Sequence, residues 1–228
     1  MTNLFFGKNA LLLFLISFFI IQCTPAEEIE KLEKSREALK IENESLQSSL
    51  DILQKDKVKL DFLAQRLQGI TAEITTSMGK INVEFYPDKA PLHVFTFVSR
   101  AESGFYDGTT FHRVIENFMI QGGDPNSKDN DPTNDGQGGP IAMLPHEFND
   151  IKHVPGVLST ARVSDVNAGA GSQFFIMHGA NTGLDNQYTV FGMVTEGMDV
   201  VNKIATTAKN PQDRPLKDVL IKSIKVKR

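Results

Sequence analysis

Apolar residues change their spacing along this chain, and each spacing predicts a different kind of element. Over residues 27–68 there is neither glycine nor proline, and Leu32, Leu39, Leu46, Leu53, Leu60 and Leu67 recur every seven residues. A seven-residue period keeps its stripe on one side of a helix only when the helix is slightly underwound, so the stretch predicts a long helix with coiled-coil character. With those leucines at d, the a positions are Ile29, Arg36, Asn43, Leu50, Lys57 and Ala64. Polar residues at a weaken the seam but specify its register, and the expectation is a parallel homodimer through this stalk. Gly69 supplies the stop.

Beyond Gly69 the period falls to two. Ile74 and Thr76, then Ile81, Val83 and Phe85, alternate around TSMGK and predict a hairpin. Pro91 opens a short helix, PLHVFTFVSRAES, at a first-turn position where proline is tolerated. Further strands are expected over 110–115, 118–121, 156–161, 173–177, 189–194 and 219–226, with a second helix over 198–205. Many short strands with two helices predict a closed barrel or sandwich carrying helical lids. The connection 122–155 is dense in Gly, Asn, Asp and Pro and reads as turn chemistry. Its GQGGP lacks the Lys-Ser/Thr ending of a phosphate-binding loop.

The length of 228 residues accommodates one domain with an appendage, and a net charge of -4 excludes a general basic footprint for nucleic acid. Cys23 is the single cysteine, so no intramolecular disulfide exists. It closes the run ALLLFLISFFIIQC behind Lys8, too short to span a bilayer and shaped like a signal-peptide core. The run resembles a bacterial lipoprotein signal, although Gln22 stands where Gly, Ala or Ser is usual. That resemblance implies a signal peptide over 1–22, lipidation of Cys23, an anchored stalk over 23–69 and a catalytic domain over 70–228. The protein would then be an envelope lipoprotein, held to the membrane by its lipid and facing the periplasm or exterior.

The stretch FHRVIENFMIQGGD sets Arg113 and Gln121 among apolar residues. Such groups are costly to bury without partners, so they either reach water or line a pocket. His93, His146, His153 and His178 are too scattered for metal-ligand spacing, and no metal or cofactor is expected.

Together with GVLSTAR, GSQFFIM and LDNQYTVFGMV, that stretch resembles the cyclophilin family of peptidyl-prolyl cis-trans isomerases, over residues 71–228. The resemblance implies a mainly β fold: a closed eight-stranded antiparallel barrel with two capping helices, here preceded by the long N-terminal helix. It implies action on Xaa-Pro bonds of polypeptide clients, assisting their folding, with Arg113 as the catalytic donor. The substrate surface it implies comprises His112, Phe118, Met119, Gln121, Ala161, Arg162, Gln173, Phe175, Leu184 and Tyr188. Arg162 stands where many members carry asparagine, Gly183 where vertebrate-type members carry tryptophan, and Tyr188 replaces a pocket histidine. Phe174 is expected to face the core, opposite to Phe175, because neighbours on a strand point to opposite sides. The alternative is a proline-peptide-binding or surface-interaction module in which turnover is not the main role.

Overall fold

The computed structural model describes residues 26–139, 143–165 and 168–228. The signal-like segment and Cys23 lie outside the described residues. The chain divides into two compact units between Lys57 and Val58, a boundary inside helix α1 (Ala26–Leu67). In the first unit the heptad leucines face water: Leu32, Leu39, Leu46 and Leu53 are 61%, 63%, 57% and 65% exposed. An i,i+4 pair between Glu30 and Lys34 adds the modest support such pairs give an isolated helix.

The second unit begins with the last turns of α1. Leu67 and Ile70 are buried in the main core, and Leu63 packs against it. The hairpin β1 (Thr71–Thr76) and β2 (Lys80–Phe85) follows, then α2 (Pro91–Glu102), β3 (Arg113–Ile115), β4 (Met119–Gly122), β5 (Val157–Arg162), β6 (Ala170–Met177), β7 (Val190–Glu196), α3 (Met198–Ala205) and β8 (Ile221–Lys227). The strands form one antiparallel sheet in the order β3-β4-β6-β5-β7-β2-β1-β8.

The expected closure of the barrel does not occur: the sheet is an open half-barrel. Its two edge strands approach only through the isolated bridge between Thr110 and Leu220, where Phe111 N–H donates to Val219 O and Ile221 N–H to Thr109 O. The chains then part because the outer edge of β3 is already engaged. Val114 N–H donates to Asp213 O at 2.8 Å, and Val114 O accepts from Lys209 Nζ at 2.9 Å.

Strand alternation builds two apolar clusters from the same strands. Ile120, Leu158, Phe174 and Ile176 point into the main core, where Phe97 touches the rings of Phe85, Tyr106, Phe174 and Phe191 with centroids 5.1–5.5 Å apart. Met119, Val157, Phe175 and Met177 point the other way and form a second cluster on the outer face. That second cluster is itself buried, covered by Phe118, Ile151, Leu184 and Tyr188 from the connections that pack over the sheet. Where β7 runs beside β2, a Cβ on Gly192 would clash with Glu84 O, so the backbone approach itself excludes a side chain.

Candidate active site

Ladder register brings the site together. Arg113 on β3 is paired with Gln121 on β4, and Gln121 with Phe175 on β6. Directly paired residues share a face of the sheet, so these three side chains stand side by side. Phe118 and Met119, the β5 end at Ala161 and Arg162, then Leu184 and Tyr188 complete the wall of a cavity of about 120 Å³.

One wall is held by a directional chain of hydrogen bonds. Gln173 Nε2 donates to the carbonyls of Gly136 at 2.9 Å and Gly138 at 2.8 Å, and lies 3.4 Å from Asp124 Oδ2. Three acceptors on one side decide which end of that amide is nitrogen. Gln173 Oε1 therefore faces Gln121 and accepts from its Nε2 at 2.9 Å. Gln121 Oε1 is left to accept from Arg113 Nη1 at 3.4 Å. Asp124 is fully buried and also takes the backbone N–H groups of Asn126, Gly136 and Gly138, which pins the glycine-rich loop behind the wall. A guanidinium anchored this way keeps its remaining N–H groups free with less side-chain disorder to overcome.

The opposite wall is aromatic. Arg162 lies with its guanidinium 4.6 Å from the Tyr188 ring centroid, and Tyr188 meets Phe175 edge-on at 5.7 Å. Beneath Phe175 the buried His153 ring is stacked at 6.1 Å. His153 Nδ1 faces Asp185 Oδ1 at 3.2 Å and Nε2 faces Ser159 Oγ at 3.2 Å. Burial pushes the His153 pKa below its ordinary value, with Asp185 opposing that shift. A neutral ring facing a carboxylate carries its proton on that side, while Ser159 Oγ gives its single hydrogen to Thr189 O at 2.9 Å.

Two of the expected residues stand outside the lining of the cavity. His112 does not line the cavity; it is 6% exposed. Burial is the main reason its pKa is lowered, so it is a neutral ring behind the wall. Gln173 also lies outside the lining and acts through Gln121. Asp124, His153, Ser159 and Asp185 escaped the sequence reading. The one available signal was Asp124 beside GG and Pro125, which reads equally as a turn. Among the described residues no group of three or more His, Cys, Asp or Glu side chains is placed to hold a metal ion, and no helix is long and apolar enough to cross a membrane.

The model of the cyclophilin type peptidyl-prolyl cis-trans isomerase family matches residues 71–226, the whole sheet and both short helices. The chain belongs to that family. This cyclophilin-type chain is similar to peptidyl-prolyl cis-trans isomerase-like 2 of Rhizopus delemar, 42% identical over 161 residues that cover 68% of this chain and 28% of that one. It thus spans less than a third of that relative's length. Peptidyl-prolyl cis-trans isomerase-like 1 of Mus musculus is 39% identical over 155 residues, 65% of this chain and 87% of that one. Among solved structures, a Cryptosporidium parvum cyclophilin type peptidyl-prolyl cis-trans isomerase, crystallised in the presence of the dipeptide Ala-Pro, superposes with a TM-score of 0.64 at 29% identity. It covers 69% of this chain and 99% of that one. The cyclophilin-type match leaves α1 outside its limits.

Proposed function

We propose that the protein catalyses cis-trans isomerisation of Xaa-Pro bonds in polypeptides, with Arg113 as the catalytic donor. The observation that carries the reading is the pairing, within one cavity, of an anchored guanidinium with the apolar surface of Phe118, Met119, Phe175 and Leu184. Rotation about the bond is opposed by ~18–20 kcal/mol of amide resonance. As the bond twists, the prolyl nitrogen regains its lone pair and becomes an acceptor. A fixed N–H donor aimed at it stabilises the twisted state more than either planar state, while the apolar wall holds the ring. No proton is transferred and no bond is broken, so no nucleophile or general base is required.

The test is an NMR exchange assay on an Ala-Pro peptide with the full chain. Arg113→Ala is expected to lower kcat/KM by about 100-fold or more, the scale of a lost transition-state donor, with substrate affinity changing less. Arg113→Lys restores the charge without the fork and recovers only part. Activity of Arg113→Ala near wild type refutes the mechanism.

The proposal includes an address and an assembly. Lipidation of Cys23 and envelope attachment are supported by the apolar run that ends there, and the relatives named above are eukaryotic proteins whose names mention no lipid. Chains held at a membrane outside the cytoplasm would meet unfolded clients there and assist their folding. Absence of labelled fatty acid on the mature protein removes the anchor. A parallel stalk dimer is supported by the four exposed heptad leucines, and a monomer in ultracentrifugation at high micromolar concentration removes it.

A further inference from the structure

The cavity is lined by two arginines and by no carboxylate, in a chain whose net charge is -4. Arg113 stands on β3 and Arg162 on β5, three strand steps apart in the sheet order. At 4.7–4.9 Å per step their backbones are separated by roughly 14 Å or more, so the two cations flank the cavity and do not share one side of it. Arg113 is held toward Gln121 and is assigned above to the prolyl nitrogen. The isomerisation as derived leaves Arg162 without a role.

The surroundings of Arg162 orient it without neutralising it. Its Nε donates to Gln187 O at 2.9 Å, and its Nη1 to Val163 O at 2.9 Å and Ser164 O at 3.3 Å. Carbonyl partners satisfy N–H groups but carry no compensating charge. The Tyr188 face fixes the plane of the guanidinium and, through Phe175, ties it to the cavity wall. Arg162 forms no ion pair among the described residues, and Nη2 has no protein acceptor among them. Asp165, three residues along, is not part of the cavity lining. Among the described residues the result is a partly exposed, pre-oriented cation whose Nη2 has no acceptor at the rim.

We propose that Arg162 makes the site selective for polypeptides in which Asp or Glu flanks the proline, an inference that rests on the isomerase reading of the same cavity. With the ring held at Phe175 and Leu184, a neighbouring carboxylate accepts a charge-assisted hydrogen bond from Arg162 Nη2. One free nitrogen permits a single such bond and excludes the bidentate clasp, so the preference is moderate. An acidic neighbour raises kcat/KM by about three- to tenfold over alanine, between the scale of a surface ion pair and that of a hydrogen bond to a charged group. The preference weakens at high salt, because the rim is open to solvent.

The experiment uses the full chain and three peptides, identical except for Ala on both sides of proline, Glu before it, or Glu after it. Exchange rates are measured by NMR at about 20 and 500 mM salt for wild type, Arg162→Gln and Arg162→Lys. The expected result is faster turnover of one Glu peptide, a Glu-to-Ala ratio that falls toward one in Arg162→Gln and at high salt, and partial retention in Arg162→Lys. The readout is that ratio, so a general loss of rate in either variant does not affect it. Equal rates for all three peptides overturn the selectivity and leave the isomerase reading standing. A preference that survives in Arg162→Gln overturns the assignment to this residue. If no peptide exchanges, the isomerase reading falls, and the selectivity is then judged on equilibrium binding of the same peptides, where equal affinities overturn it as well.

Discussion

Gln173→Glu changes one NH2 group for an oxygen and should remove the donor at the far end of the chain that holds Arg113. The amide nitrogen now donates to two carbonyls and lies 3.4 Å from Asp124 Oδ2. An ionised Glu at that place would repel the Asp124 carboxylate by about 5 kcal/mol at an effective dielectric constant near 20. Protonation relieves this. Protonating a carboxyl of ordinary pKa ~4.3 at pH 7 costs about 3.7 kcal/mol, and at pH 5 about 1 kcal/mol. The protonated acid offers one O–H where the amide offered two N–H groups, which adds about 1 kcal/mol. The variant is therefore less stable than wild type by up to about 4 to 5 kcal/mol at pH 7 and about 2 at pH 5, upper limits because Gln173 is half-buried. The sign follows from linkage: a carboxyl whose folded pKa is raised holds more protons folded than unfolded, so its penalty shrinks as pH falls. Urea midpoints of both proteins at pH 7, 6 and 5 measure the difference. A deficit below about 1 kcal/mol at pH 7, or one that does not shrink on acidification, refutes the donor-acceptor order assigned to Gln173 and Gln121.

Wild type should respond to acid in the opposite sense. Burial lowers the pKa of both His112 and His153, so their contribution is fully present above the unfolded value near 6.5 and is lost as pH falls through their folded values. The thermal midpoint is expected to drop below pH 6.5, and His112→Leu to flatten that slope; an unchanged slope assigns the acid sensitivity elsewhere. Gly192→Ala is expected to cost about 2–3 kcal/mol, because its Cβ would meet Glu84 O and force β2 from β7. Unfolding by urea tests this, and a loss under 0.5 kcal/mol would mean that the ladder yields more easily than its register suggests.

What was legible in the sequence followed from local periodicity. Alternation located each strand to within a few residues, and it assigned Phe174 and Phe175 to opposite faces, as found in the two clusters. The lining from Arg113 to Tyr188 was legible only through the family motifs, since its members come from four strands and two connections. Closure of the barrel was not legible. It turns on whether Val114 pairs with β8 or with the loop at Asp213, a choice between partners about a hundred residues away. Asp124 and the anchoring of Gln173 were equally hidden, because the carbonyls that orient Gln173 belong to loop glycines 35 and 37 residues earlier. No period in the chain reports such a contact.

For the proposed isomerase, the capped edge of β3 bears on how clients would leave. Unfolded chains are the natural partners of an unpaired strand edge, which recruits them through main-chain hydrogen bonds and releases them slowly. At Val114, in the middle of the strand that carries Arg113, Asp213 and Lys209 already occupy the groups that would face such a visitor. A client is thereby denied strand addition at that position and must be held by its proline ring and flanking groups. Its residence time then depends on a few side-chain contacts, whatever the length of the chain, and a long unfolded polypeptide can depart as readily as a short one.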